Sequence, residues 1–117
     1  MSLFDSTQLA LESAARGASM RQQALTNNLA NINTPGYQRQ DVDFHSALQA
    51  AKAAREDPTT IAFTPSTDPT RVVRADGSGL DIDQEGASLA ENSLEYQAIV
   101  QVMGARFAIL KTAIGVV

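Results

Sequence analysis

The sequence predicts a mainly α-helical protein: long N- and C-terminal helices paired as a coiled-coil-like hairpin, joined by a short helix and a polar loop with room for short β segments. Three observations predict it. Apolar residues recur at alternating four- and three-residue steps near both ends of the chain. The stretch between is rich in Pro, Thr and Gly and has no helical period. The 117 residues are 44% hydrophobic but only 5% aromatic, so the apolar content is mostly Ala, Leu, Val and Ile, which suit close helix packing.

Residues 1–36 form the first arm, read as helix from about Ser6 to Asn33. Its seam is Leu11, Ala15, Ala18, Gln22, Leu25, Leu29 and Ile32, a coiled-coil-like pattern with one polar member. Asp5 and Gln8 have capping-box spacing at its start. Gly17 costs about 1 kcal/mol against Ala inside a helix, which suits either a close packing contact or an exposed position. The arm closes on Asn27-Asn28-Leu29-Ala30-Asn31-Ile32-Asn33-Thr34-Pro35-Gly36-Tyr37. Asn competes for backbone hydrogen bonds and is a mediocre helix former. Pro35 disfavours helix at Thr34, and Pro-Gly suits the central positions of a type II turn. Read on spacing alone, this is also how an ordinary asparagine-capped helix would end.

Residues 37–55 read as an extended segment followed by a short helix ending near Ala54. Residues 56–80 read as a flexible loop: Pro58, Pro65, Pro69 and a run of Thr and Ser leave no helical period. Within the loop, Ile61-Ala62-Phe63 and Arg71-Val72-Val73-Arg74 are short enough for extended segments or a hairpin, and Asp76-Gly77-Ser78-Gly79 is a strong turn. Residues 81–117 form the second arm, helical from about Asp83 to Ile114. Its seam is Tyr96, Val100, Met103, Phe107, Leu110, Ile114 and Val117, widened by Ile99. Acids from Asp81 to Glu95 lie at its front and Arg106 and Lys111 near its back, complementing the helix dipole. Two helices and a polar loop bury one seam against each other. Such a thin fold is expected to draw much of its stability from neighbouring copies or partners.

The chemistry is that of a non-enzyme with no metal or cofactor site. A net charge of -4 with scattered Lys and Arg argues against a nucleic-acid face. There is no Cys, hence no thiolate catalysis or disulfide. No run approaches the ~18 apolar residues of a transmembrane segment, and no cleavable signal peptide is visible. Asp41, Asp43 and the single His45 would share a face on a strand, but a solvated helix start accounts for them better. Asp81-Ile82-Asp83-Gln84-Glu85 lacks the spacing of a calcium loop, and capping explains it. Gly77-Ser78-Gly79 has no following Lys and makes no phosphate loop.

The asparagine run leading into Thr34-Pro35-Gly36-Tyr37 resembles the N-terminal signature of the bacterial flagellar axial (rod and hook) proteins. Three further stretches narrow the resemblance: Arg21-Gln22-Gln23-Ala24-Leu25, Asp41-Val42-Asp43-Phe44, and Leu89-Ala90-Glu91-Asn92-Ser93-Leu94-Glu95-Tyr96-Gln97. Over roughly residues 8–49 and 79–114 the chain is similar to the basal-body proximal rod proteins of the B type. The resemblance implies a structural subunit of the rod that transmits torque and lines the export path. It implies partners among copies of itself, other proximal rod proteins, the inner-membrane-ring/rod adaptor protein and the flagellar type III export apparatus, and a periplasmic place reached by export without a cleaved signal peptide. The assembly residues it implies are Asn27, Asn28, Asn31, Thr34, Pro35, Gly36, Tyr37, Asp41, Asp43, Phe44, Glu91, Asn92, Ser93, Leu94 and Tyr96. The competing readings are a C- or F-type rod subunit and a small helical-hairpin adaptor or chaperone.

Overall fold

The computed structural model describes residues 5–115, so the expected seam position Val117 lies outside the described residues. Helix α1 runs Ser6–Ala30, strand β1 Gln38–Asp41, helix α2 Phe44–Ala53, a 3₁₀ turn Pro58–Thr60, strand β2 Ser66–Val72 and helix α3 Ile82–Ala113. The chain is mainly helical, and the two long arms lie against each other antiparallel: the front of α3 reaches Asn28, and Arg106 near its back reaches Asp5. The body measures 62 × 32 × 14 Å, one layer of helices thick.

Each helix starts on an aspartate whose carboxylate takes a free backbone N–H of the first turn. Asp5 accepts from Gln8 N at 2.9 Å, Asp43 from Ser46 N at 3.1 Å and Asp81 from Asp83 N at 2.9 Å. Asp43 and Asp81 therefore act as helix caps. Helix α1 stops at Ala30 rather than Asn33, so Ile32 sits in the turn beyond the helix, half-buried. Tyr37 N donates to Thr34 O at 3.1 Å across Pro35-Gly36, and Gly36 has φ +83°, which is the type II turn the dipeptide predicts.

The sheet is two-stranded and antiparallel, pairing Gln38 with Val72, Arg39 with Asp68, Gln40 with Thr67 and Asp41 with Ser66. Its register shifts between Gln38 and Arg39, leaving Pro69, Thr70 and Arg71 looped out of the ladder. Proline, with no N–H to give, is tolerated at such an irregularity. A hairpin within residues 56–80 does not form. The strand from that segment pairs with the stretch after the Thr-Pro-Gly-Tyr turn, while Phe63 buries itself against α1. Gly79 approaches the backbone closely, since a Cβ there would lie 2.0 Å from Val72 O.

The apolar core is small and lies where α2 crosses α1. Ala18, Ala24, Val42, Phe44 and Phe63 form it, with Met20, Ala47, Leu48, Ile61 and Ile99 around them. Gly17 is the contact point: a Cβ built on it would stand 2.5 Å from Phe44 Cβ and 2.9 Å from Phe44 Cγ. Close packing is thus the reason a helix breaker sits mid-helix. Gly17→Ala should lower stability by about 1–3 kcal/mol through overpacking, outweighing Ala's ~1 kcal/mol helix advantage. Thermal unfolding checks this, and a raised midpoint would contradict the contact.

Candidate assembly site

The asparagine run divides its labour. Asn28 is fully buried and faces β1 and α3. Its Nδ2 donates to Gln40 O at 2.7 Å, while its Oδ1 accepts from Gln40 N at 2.8 Å and from the Tyr37 hydroxyl at 2.9 Å. The amide thus pairs with Gln40 as a neighbouring strand would, tying strand to helix. Asn31 caps α1: its backbone N–H and its Nδ2 both donate to Asn27 O, at 3.0 and 2.9 Å, and its Oδ1 accepts from Thr34 Oγ1 at 3.2 Å. Asn27, Thr34, Pro35 and Gly36 are exposed, and Tyr37 is half-buried. Burial pushes the Tyr37 hydroxyl's pKa up, and the negative charge of Glu85 adds to this.

A charged network continues from this point. Arg39 Nε donates to Glu85 Oε1 at 2.6 Å and Arg39 Nη1 to Asp41 Oδ2 at 3.2 Å, while Asp41 Oδ1 accepts from Arg21 Nε at 2.9 Å. Arg71 lies 3.8 Å from Glu85, and Asn28 Nδ2 reaches its other oxygen at 3.4 Å. Burial raises the Asp41 pKa, but Arg21, the Val42 N–H and Arg39 outweigh it and hold the carboxyl below the usual range. Burial likewise works against the Arg39 charge, and Glu85 and Asp41 overcome it. The network ties α1, β1, β2 and α3 together at one end of the molecule.

Asn92, also fully buried, ties the middle of the arms: Nδ2 donates to Ala18 O and to Gln22 Oε1, both at 2.9 Å. At the far end Arg106 Nε donates to Gln8 Oε1 at 3.0 Å, and Arg106 Nη2 meets both Asp5 oxygens at 2.9 and 2.8 Å. Asp43 is exposed at its capping post, Phe44 is buried in the core, and the His45 ring stacks on Phe44 with centroids 4.1 Å apart and touches Glu95. Asp41, Asp43 and His45 therefore go to separate partners and do not converge on a common point.

The seam differs from the expected one on α3. Ala18 and Leu25 are buried on α1, with Leu11 and Leu29 half-buried, and Met103 and Leu110 are half-buried on α3. Val100 and Ile114 are 44% and 60% exposed and flank the contact with α1, and Phe107 is 39% exposed. Glu91, Leu94 and Tyr96 also face outward, and Ser93 is half-buried. Sequence reasoning placed Gln8 in the capping box and Arg106 among the dipole-complementing charges but not in contact with each other, and it did not single out Arg39 or the burial of Glu85. Glu85 read as an ordinary dipole-complementing acid, and nothing local marks it as buried. No helix among the described residues is long and apolar enough to cross a membrane.

Comparison with known proteins places this geometry in context. A family model described as flagella basal body rod protein matches residues 9–38, that is, most of α1 and the turn. The chain is 34% identical to the flagellar basal body rod protein FlgB of Bacillus subtilis over 97% of each chain. It is 33% identical to FlgB of Salmonella typhimurium, covering 74% of this chain and 76% of the relative, and 34% identical to FlgB of Escherichia coli, covering 66% and 70%.

Proposed function

The chain belongs to the FlgB family of flagellar basal body rod proteins, structural subunits of the proximal rod that assemble with other rod proteins, and from that premise we propose that its paired arms form one stave of the rod wall. The observation that carries the proposal is the surface of α3. On either side of the row that meets α1 runs an apolar stripe whose members recur at three-, four- or seven-residue steps. One is Tyr96, Val100, Phe107 and Ile114; the other is Ala98, Val102, Ala105 and Ile109, with Val102 and Ile109 at 48% and 68% exposure. Leu94 adds to the outward face at 67% exposure. A helix apolar on several sides belongs inside something larger than one thin chain. Two apolar flanks on opposite sides of one helix suit a heterologous contact, one flank against the other of the next copy, the kind that builds rings and helical tubes.

In this reading α3 is wedged between neighbouring subunits, copies of itself and other proximal rod proteins, and Asn27, Glu91, Leu94 and Tyr96 stand at those contacts. The arms carry torque along their length and line the export path. The base of the rod meets the inner-membrane-ring/rod adaptor protein and the type III export apparatus, through which the chain reaches the periplasm without a cleaved signal peptide. The residue blocks 1–36, 37–55, 56–80 and 81–117 act as one assembly domain. No catalytic role is needed.

The turn provides the test. Changing Pro35-Gly36 to Ala-Ala removes the helix-stopping proline and puts a side chain where φ is +83°. Tyr37 would then leave Asn28, and β1 its place beside α1. Incorporation into basal bodies should fall about tenfold or more, the change that ~1.4 kcal/mol of lost interaction makes, while export persists and cells lose motility. Normal amounts of the variant in isolated basal bodies would count against an assembly role for the turn, as a hairpin adaptor predicts.

A further inference from the structure

The contact row of α3 is built the opposite way from its flanks. Glu85, Asn92, Ile99 and Arg106 follow one another at seven-residue steps, and three of these four are polar or charged. Each polar member is engaged with α1: Glu85 through Asn28, Asn92 through Gln22 and Ala18 O, and Arg106 through Gln8 and Asp5. Glu85 and Asn92 are fully buried, as is Asn28, and Gln8 is 1% exposed. Leu89, Ile99, Met103 and Leu110 are half-buried around these polar members, while further apolar side chains, Val100, Val102 and Ile109 among them, stay exposed to either side, so the helix pair leaves much of its hydrophobic surface off itself.

We infer that Glu85, Asn92 and Arg106 form a register key: they set which face of α3 meets α1 and at what height, and so hold the apolar flanks outward for neighbouring subunits. A helix apolar on several sides could otherwise turn any stripe toward α1, or slide by a turn, at little cost. A buried polar group matched to one partner excludes those alternatives, because every other register leaves it unpaired in a dry interface. The key is not an optimum of stability. Among the described residues, Asn92 Oδ1 and Gln8 Nε2 are buried with no hydrogen-bond partner, a cost that an all-leucine seam would avoid. Selection of one register accounts for that cost; strength of pairing does not. The assembly consequence rests on the rod-wall reading above, whereas the register itself belongs to the single chain.

The absence of native cysteine makes the register readable by disulfide trapping. Ala15 and Ile99 lie midway between the Gln22–Asn92 and Gln8–Arg106 contacts, so a Cys pair there reports the native register. A pair at Ala15 and Met103 reports a slip of one helical turn. In the purified full chain, the native pair should cross-link and the slipped pair should not. Combining Asn92→Leu with Gln22→Leu removes both partners together. The unfolding midpoint should then stay level or rise, while the native cross-link falls about fivefold and the slipped one appears. Asn92→Ala, which adds no apolar bulk, gives a second reading and should also lower the native cross-link. A native-only cross-link in both variants overturns the proposal, and so does its absence in the parent chain. A large loss of thermal stability in the double leucine variant would show Asn92 to be merely a structural contact and would overturn it as well. Because trapping is read on the free chain, it decides the register key separately from motility complementation, which decides the rod reading.

Discussion

Glu85→Ala is expected to cost about 3–5 kcal/mol of folding stability, the range for removing one member of a buried ion pair. Glu85 is fully buried, and the Arg39 side chain beside it is 10% exposed with its Nε 2.6 Å from the carboxylate. Removing the carboxylate leaves the Arg39 guanidinium in the interior with only Asp41, at 3.2 Å, and Asp41 is already shared with Arg21. Because a domain of this size is stable by only ~5–15 kcal/mol, the loss should bring unfolding near room temperature. Urea titration of the purified chain measures it. Removing both partners, Glu85→Leu with Arg39→Met, should recover much of the deficit, since the penalty lies in the unpaired charge rather than in the missing bond. A loss below ~1 kcal/mol in Glu85→Ala would mean that the network is solvated and is not a clamp.

Why this clamp escaped sequence reasoning follows from what periodicity measures. The helix starts and the turn were legible because their signals are local: Asp5 three residues before Gln8, and Pro35-Gly36 after the asparagines. The strands were legible in part: an extended segment after Tyr37 and extended Arg71-Val72-Val73-Arg74 were expected, but their pairing was not. Gln38-Arg39-Gln40-Asp41 has no apolar alternation and β2 contains Pro69; they pair because Asn28 anchors β1 and the turn brings Tyr37 to Val73. The face of α3 was legible only in Ile99, Met103 and Leu110, for a more instructive reason. Periodicity finds the strongest apolar stripe and assigns it to the partner within the chain. On α3 the contact with α1 takes part of that stripe, half-burying Met103 and Leu110, and fills the rest with Glu85, Asn92 and Arg106; on the rod-wall reading proposed above, the remainder of the stripe is left for neighbouring subunits. The half of the seam on α1 read more easily, because Ala18 and Leu25 have only their own chain to face.

The same division separates two classes of charge substitution, and the contrast should be large. Leu25 is fully buried, so Leu25→Asp should fail at folding: it places a carboxylate in the interior without a partner. Val102 and Ile109 are 48% and 68% exposed on a flank that the chain itself does not cover. Val102→Asp with Ile109→Asp should therefore leave the purified protein folded, with stability within about 0.5 kcal/mol of the parent, as surface changes generally do. In cells the same variant should be exported yet absent from basal bodies, and motility should be lost, because both carboxylates would have to be desolvated between subunits. The opposite flank offers a parallel reading through Val100→Asp, at a site 44% exposed. Circular dichroism on the purified variants and blotting of isolated basal bodies separate failure to fold from failure to assemble. Wild-type motility in cells carrying only the Val102→Asp and Ile109→Asp chain would show that this flank faces solvent in the assembled rod, and α3 would then have neighbours on one side at most.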